Sequence, residues 1–192
     1  WRLAALPKAL PPADVNRVLN AFDRSTPIGR RDYAIVRCLA DLGLRASEVA
    51  HLQLDDVNWR DGTLQIKGAK GQRVQLLPLP IQTGEAIADY LRHGRPATRS
   101  RTLFVRHRGP VNCPGGTGVV RSAIHRASVR CNLNPGIGTH VLRHTAACRI
   151  LQAGASMKDI ADVLRHCRLD TTMIYTKVDL ARLARVAAPW PG

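Results

Sequence analysis

The stretch IADVLRHCRLDTTMIYTK, residues 160–177, ends a helical pattern on a basic pair and then delivers a tyrosine. The pair is Arg165 and His166, and Tyr175 follows nine residues after the histidine. A tyrosine oxygen becomes a nucleophile when a neighbouring group activates it. In a chain this rich in cations, the arrangement predicts a tyrosine that attacks phosphate.

Two further segments carry the cations that a phosphate under attack would need. In HVLRHT, His140 and Arg143 are three residues apart and therefore share one helical face. In GLRASEV, Arg45 follows a helix stop at Gly43, and Glu48 lies where its carboxylate can brace the guanidinium. Each pattern alone is also typical of a solvated basic helix, so only their combination predicts a site.

A lysine-rich turn separates two segments with a period of two. TLQI and RVQLLPL predict strands, and KGAKGQ between them predicts the turn of an antiparallel hairpin. Lys67 and Lys70 lie in this turn, where either ammonium can reach forward from a stiff two-stranded arm. Taken alone, the segment is equally well interpreted as a solvated turn.

These residues together fit one reaction. Attack of the Tyr175 oxygen on a DNA phosphodiester builds negative charge on the nonbridging oxygens, which Arg and His donors offset without a metal ion. The leaving 5′-oxygen needs a proton, which a lysine on the hairpin can supply as a general acid. The phosphotyrosine ester keeps the bond energy, so the strand can be rejoined without ATP. We therefore expect no cofactor and no metal.

The four segments resemble the catalytic boxes of a known family, the tyrosine recombinases or phage integrases. GLRASEV, KGQRVQLLPLP, HVLRHT and LRHCRLDTTMIYTK follow the family's order and spacing, and the resemblance runs from about residue 6 to residue 187. It implies site-specific DNA strand cleavage and rejoining through a 3′-phosphotyrosine intermediate. It also implies a catalytic set and a supporting acid: Arg45, Lys70, His140, Arg143, His166 and Tyr175, with Glu48 beside the first arginine.

The resemblance also decides between the two lysines and shows two departures. Lys70 is preferred to Lys67, which stays open, because counting back from the Pro-Leu-Pro at 78–80 places it on the family's KGxR pattern. The family often has glycine where this chain has Arg165, and a left-handed backbone there would cost about 1 kcal/mol. The family's N-terminal DNA-gripping domain is expected to be absent from this chain, which begins at Trp1.

Other functions share parts of this pattern. A type IB topoisomerase resembles the family in chemistry and relaxes supercoiled DNA, and a non-catalytic DNA-binding regulator can use the same scaffold. A structural zinc site can be built from His140, His144 and Cys148, which recur every four residues on one helical stripe. Arg143 would sit against such a metal, which argues against the zinc interpretation.

The composition favours a nucleic-acid partner. The 192 residues include 29 Lys and Arg against 14 Asp and Glu, a formal charge of +15, and such a surplus attracts a polyanion. The five cysteines are odd in number and lack CxxC spacing, so neither a disulfide framework nor a zinc ribbon is indicated. The chain has no apolar run of about 18 residues that could span a bilayer. We expect a cytoplasmic protein that acts on double-stranded DNA.

The periodicity predicts a mainly α domain with a small antiparallel β-sheet, an α+β class similar to the tyrosine recombinase catalytic domain. Helices are expected over residues 11–23, 30–42, 81–93, 118–131, 139–152 and 156–165, with a short one in RASEVAHL and another near Asp170. The strands are the two hairpin segments and a short LFV at 103–105. Residues 1–192 are expected to form one domain with 178–192 as a tail. The resemblance implies that this tail docks on a neighbour in a tetramer on paired DNA sites.

Overall fold

Helices dominate the part of the chain that the structure describes. The structure is a computed structural model, and it describes residues 9–67, 74–109, 113–133 and 137–164. The α-helices in these ranges are α1 (Pro12–Asn20), α2 (Pro27–Leu42), α3 (Ala46–His51), α4 (Ile81–His93), α5 (Gly116–Arg130), α6 (Thr139–Gln152) and α7 (Met157–Leu164). The prediction of a mainly helical fold with a small antiparallel sheet is confirmed. The helix expected near Asp170 lies outside the described residues.

Helix α2 is the central element of the core. It begins at Pro27, and the hydroxyl of Thr26 caps it by accepting a hydrogen bond from the Gly29 N–H at 3.0 Å. It packs against α1, α3, α4, α5 and α6. Ile35, Cys38, Leu39 and Leu42 form an apolar stripe in the sequence, which predicts one buried face, and all four are buried. Because neighbours surround the helix, Val36 and Ala40 are buried as well. Burial raises the pKa of the Cys38 thiol to about 12.

The sheet has three antiparallel strands in the order β1 (Val57–Asn58), β2 (Thr63–Ile66) and β3 (Gln75–Pro78). Leu64 pairs with Val57 on one side and with Leu77 on the other, and these side chains are buried on the inner face. The predicted hairpin is therefore confirmed. The sequence analysis missed β1, because two residues are too few to show an alternating pattern.

The short strand predicted at LFV is wrong. Within the described residues, Thr102 and Val105 form only isolated bridges, to Gln53 and Pro114. The loop is shaped instead by the Arg95 guanidinium, which donates to the carbonyl oxygens of Ser100 at 2.6 Å and of Thr102 at 3.0 Å. An apolar run bounded by turns predicts burial here, and burial does not require a continuous ladder.

The face that α4 buries also differs from the helical spacing in the sequence, which predicts Gly84, Ile87, Ala88 and Leu91 on the inner face. Gly84, Ala88 and Leu91 are half-buried, whereas Thr83 and Tyr90 are fully buried beside Ile87 and Ala86. The Thr83 hydroxyl donates to the Asp41 carboxylate at 2.6 Å, and the Tyr90 hydroxyl accepts from the Val105 N–H at 3.4 Å. Polar side chains with internal partners can be buried, which a search for apolar periodicity does not detect.

A second apolar cluster joins α6 to α7. Ala147, Cys148 and Leu151 of α6 pack with Ile160 and Leu164 of α7. His144 lies one turn before Cys148, its Nε2 3.6 Å from the thiol Sγ, and burial lowers the pKa of its imidazole. The apolar spacing of α7 predicts that Met157 and Ala161 also face inward, but their side chains are not among those that the structure describes. The end of α7 is thus fixed by packing on α6.

No helix within the described ranges is long and apolar enough to cross a membrane.

Gly43→Ala is expected to destabilise the fold by more than the roughly 1–2 kcal/mol that a left-handed alanine costs. Gly43 has φ +59°, and a Cβ added there would come within 2.9 Å of Leu164 Cδ2. Urea unfolding measures the loss. The matched control is Gly62→Ala, which has φ +60° and nothing within 4 Å of the added Cβ. Equal losses in the two variants would contradict a role for the Leu164 contact.

The stability of the fold is expected to fall as the pH drops below about 6.5, the ordinary pKa of histidine. Burial lowers the pKa of His144, so the unfolded chain binds the proton more readily than the folded chain. His144→Gln removes this group and should flatten the fall in unfolding free energy between pH 7.5 and pH 5.5. His125→Gln, on the exposed face of α5, controls for the loss of one histidine. An unchanged slope in His144→Gln would refute the assignment.

Candidate functional site

Arg45 is positioned by the junction between α2 and α3. Gly43 ends α2 in the left-handed conformation, Leu44 is buried, and Arg45 is the N-cap of α3. Glu48, in the first turn of α3, accepts the Arg45 backbone N–H at 2.6 Å and its Nη1 at 2.8 Å. The predicted brace is present, and it fixes both the backbone and the guanidinium of Arg45.

The guanidinium of Arg143 bridges the ends of two other helices. Its Nη1 donates to the carbonyl oxygen of Gly43 at 2.5 Å, and its Nη2 donates to the carbonyl oxygen of Leu164, the last residue of α7. The same Nη1 lies 3.9 Å from Oε2 of Glu48. One carboxylate therefore contacts both Arg45 and Arg143, which are separated by almost a hundred residues of sequence.

The two arginines differ in exposure. The Arg45 side chain is 40% exposed, whereas the side chains of Arg143 and Glu48 are 12% and 13% exposed. Arg143 and Glu48 therefore lie deeper in the protein, and Arg45 is the more exposed of the two arginines. Two guanidiniums against one carboxylate leave a positive charge, which suits an anionic group that accepts bidentate hydrogen bonds.

His140 lies in the first turn of α6, one turn before Arg143, and its side chain is exposed. Gly138 directly precedes the helix, and a Cβ there would come within 2.9 Å of His140 Nδ1. The missing side chain at residue 138 therefore lets the imidazole lie against the backbone. His140 and Arg143 are thus both on α6 at the spacing of three residues from which the sequence predicts a shared face.

Three of the predicted catalytic residues, Lys70, His166 and Tyr175, lie outside the described residues. Leu164, however, comes two residues before His166 in the chain. The hydrogen bond from Arg143 to the Leu164 carbonyl therefore connects α6, which carries His140 and Arg143, to the end of α7, two residues before His166 in the sequence.

Lys67, the alternative hairpin lysine, has a partner in the structure. Its Nζ lies 2.7 Å from Oδ1 of Asp56, whose side chain is only 4% exposed. Removing the lysine would leave a buried carboxylate with one hydrogen-bond donor fewer, a loss of about 1–3 kcal/mol. Asp56 was not predicted as a site residue, and its only sign in the sequence is its place at the end of the LDD segment.

The zinc interpretation does not fit the geometry. His144 and Cys148 are buried side by side, but His140 is exposed on the same helix. Within the described ranges, no group of three or more His, Cys, Asp or Glu side chains is placed to hold a metal ion. His144 serves as a packed neighbour of Cys148 within the described part of the chain.

A second cationic surface lies at the opposite end of α2. A cleft of about 940 Å³ opens between the N-termini of α2 and α5. Asp32, 2% exposed, lies at this cleft and pairs with Arg31 at 2.8 Å and with Arg126 at 2.5 Å. The lining also includes Arg106 and Arg108, both exposed, so the cleft has a net positive charge.

Comparison with known proteins identifies the relatives of this chain. Residues 8–182 match the model of the phage integrase family. A Sinorhizobium fredii protein, y4rA, whose name describes it as an integrase/recombinase, is 45% identical over 196 residues, spanning 100% of this chain and 47% of that protein. Tyrosine recombinase XerD of Listeria innocua is 33% identical, spanning 95% of this chain and 62% of XerD.

Solved structures agree with these matches. The XerA recombinase crystal structure superposes with a TM-score of 0.82 at 26% identity, covering 100% of this chain and 67% of XerA. The post-cleavage complex of XerH with its palindromic difH substrate shares the fold, with a TM-score of 0.79 at 22% identity, covering 96% of this chain and 54% of XerH. This chain spans about half the length of y4rA. Because the family model matches residues 8–182, nearly the whole chain, the chain belongs to the phage integrase family of tyrosine recombinases.

Proposed function

We propose that this chain carries out site-specific DNA strand cleavage and rejoining through a 3′-phosphotyrosine intermediate. One observation supports this most directly: Glu48 contacts the guanidiniums of both Arg45 and Arg143, which come from different helices. A carboxylate that contacts two guanidiniums brings two cations from remote parts of the sequence to one place, and a pair of arginines suits one phosphate. Membership of the phage integrase family adds to this argument.

The proposed reaction assigns each step to a residue. The Tyr175 oxygen attacks the phosphorus as the phenolate, its proton having been lost to solvent, so that a tyrosine O–P bond forms and the bond from phosphorus to the 5′-oxygen breaks. Lys70 gives its proton to that leaving oxygen. Donors from the two arginines and two histidines offset the charge on the nonbridging oxygens; they are Arg45, Arg143, His140 and His166. Rejoining is the reverse sequence.

Lys70 is preferred to Lys67 as the general acid. The Lys67 ammonium is paired with the buried Asp56 carboxylate, and delivering its proton to DNA would require breaking that pair. Glu48 is proposed to act as a positioning residue, because its oxygens contact Arg45 and Arg143.

Double-stranded DNA is the proposed partner. The charge of +15 favours a polyanion, and the cationic cleft between α2 and α5 adds a second positively charged surface. We further propose that residues 1–192 form one catalytic domain, with residues 178–192 as a tail that docks on a neighbouring protomer. The full protein is then proposed to act as a tetramer on paired DNA sites. XerH, solved with its difH substrate, is a relative in fold that engages DNA.

The first test is capture of the covalent intermediate. A duplex nicked near the cleavage site loses its short 5′-hydroxyl strand after cleavage, so the enzyme stays attached to the 3′-phosphate. We expect a protein–DNA adduct on a denaturing gel with the natural chain and none with Tyr175→Phe, which lacks the attacking oxygen. The adduct should persist in EDTA, because side chains supply the positive charge.

An adduct that forms with Tyr175→Phe would remove the nucleophile assignment. Strict dependence on a divalent ion would favour a metal-dependent nuclease instead. Binding without any adduct in the natural chain would favour a non-catalytic DNA-binding regulator. Relaxation of supercoiled plasmid without exchange between sites would favour topoisomerase activity.

Arg143→Ala is expected to slow single-turnover cleavage by about 10²-fold or more, by analogy with loss of one transition-state donor. DNA affinity should change much less, because the other cations of the surface remain. A filter-binding titration and the rate of adduct formation separate the two quantities.

Arg149→Ala is the matched control, since it removes the same charge from the same helix. The Arg149 side chain is exposed, and its Nη1 lies 3.8 Å from Oδ1 of Asp41 in α2. It should cleave at the natural rate. Equal losses of binding and cleavage in Arg143→Ala would make Arg143 an anchor for DNA and not a catalytic donor.

A further inference from the structure

Asp56 joins the two chain segments that leave α3 and β2. Its Oδ2 accepts the Gln53 backbone N–H at 2.8 Å, and its Oδ1 lies 2.7 Å from the Lys67 ammonium. Gln53 comes two residues after His51, where α3 ends, and Lys67 directly follows Ile66, where β2 ends. A single buried carboxylate therefore connects the helix that carries Arg45 to the strand that enters the hairpin turn.

The backbone around Asp56 is hydrogen-bonded to the loop at residues 101–103 and pairs with β2. The Leu103 N–H donates to the Leu52 carbonyl at 2.7 Å, and the Leu54 N–H donates to the Arg101 carbonyl at 2.9 Å. Val57, directly after Asp56, pairs with Leu64 of β2. Asp56 is thus fixed relative to α3 and the sheet, while Lys67 is the last described residue before the turn.

The two partners differ greatly in exposure. The Asp56 side chain is 4% exposed, and the Lys67 side chain is 57% exposed. A lysine this exposed is well solvated without a partner, whereas a buried carboxylate is costly unless it is paired. The Gln53 N–H alone would be equally well satisfied by an asparagine or serine oxygen. The negative charge at residue 56 is therefore explained by Lys67.

We propose that Asp56 and Lys67 are a positioning pair for DNA cleavage. The pair fixes the direction in which the chain leaves β2 relative to α3. The proposed proton donor, Lys70, follows only three residues after Lys67, a reach of about 10 Å along the chain. The pair therefore sets where the general acid stands relative to Arg45. This inference rests on the proposed function.

The test compares cleavage of two substrates that differ in one atom. In the ordinary phosphodiester, the 5′-oxygen leaves and takes a proton from the general acid. When sulfur replaces that bridging oxygen, the phosphorus–sulfur bond breaks and a thiolate leaves without needing a proton. A defect in placing the general acid slows the first reaction and not the second, whereas damage to the rest of the site slows both.

Asp56→Asn and Lys67→Met are each expected to slow cleavage of the oxygen substrate by about 10- to 100-fold, since misplacement by about 1 Å can cost 10²-fold. Both should cleave the sulfur substrate at nearly the natural rate. Lys70→Ala should show the same pattern with a larger loss on oxygen. Lys67→Arg keeps a cation opposite Asp56 and should restore much of the oxygen rate.

Asp55→Asn is the matched control. Asp55 is the adjacent acid, its side chain is 69% exposed, and it pairs with Arg101. The same change of charge one residue away should leave both rates unchanged. Lys67→Met alters a side chain that is mostly in solvent, so it tests the pair even if Asp56→Asn fails to fold.

Three results would overturn the inference. Natural rates in both variants would show that the pair does not act in cleavage. Equal loss on both substrates would make it a general structural contact. The third result is that Lys70→Ala cleaves the oxygen substrate at the natural rate, while Lys67→Met cleaves it slowly and cleaves the sulfur substrate normally. That result would make Lys67 itself the proton donor. Failure of the proposed function is distinct, because the natural chain would then form no tyrosine adduct with either substrate.

Discussion

The hydrogen bonds of one guanidinium hold the candidate site together. Arg143, from α6, donates to the carbonyl of Gly43 at the end of α2 and to the carbonyl of Leu164 at the end of α7. Carbonyl groups at helix C-termini lack partners within the helix and carry partial negative charge. A planar fork of donors satisfies two such ends at once, so three helices meet where the phosphate is proposed to bind.

This arrangement depends on a residue without a side chain. Gly43 adopts φ +59°, which turns the chain from α2 into the Arg45 segment and leaves its carbonyl directed at Arg143. The space that a Cβ would fill is taken by Leu164 Cδ2. The same glycine thus allows the helix stop, the arginine contact and the packing of α7, and a change there affects all three.

Several acidic side chains in the described part of the chain connect one helix or strand to another. Asp32 links α2 to Arg126 of α5, and Asp41 links α2 to Thr83 of α4 at 2.6 Å. Glu48 links α3 to α6, and Asp56 links the exit of α3 to that of β2. These carboxylates are mostly buried, and some of their cationic partners, such as Lys67 and Arg126, reach them from more exposed positions. Many of the remaining arginines are left at the surface, where a polyanion can reach them.

The sequence by itself determined the helices, the hairpin and the residue types of the site. Periodicity, caps and turns depend on neighbours in the chain, so the ranges of α4 and α6, the end of α2 and the pairing of Arg45 with Glu48 could be predicted, although α2 begins three residues before the predicted start. The tertiary structure alone decided which partners remote residues would find. The contact of Arg143 with Gly43 spans 100 residues, and the segment that carries Asp56 is hydrogen-bonded to a distant loop through the Leu54 N–H and the Arg101 carbonyl. The buried face of α4 was decided in the same way, since Thr83 and Tyr90 find partners only when distant segments fold against them.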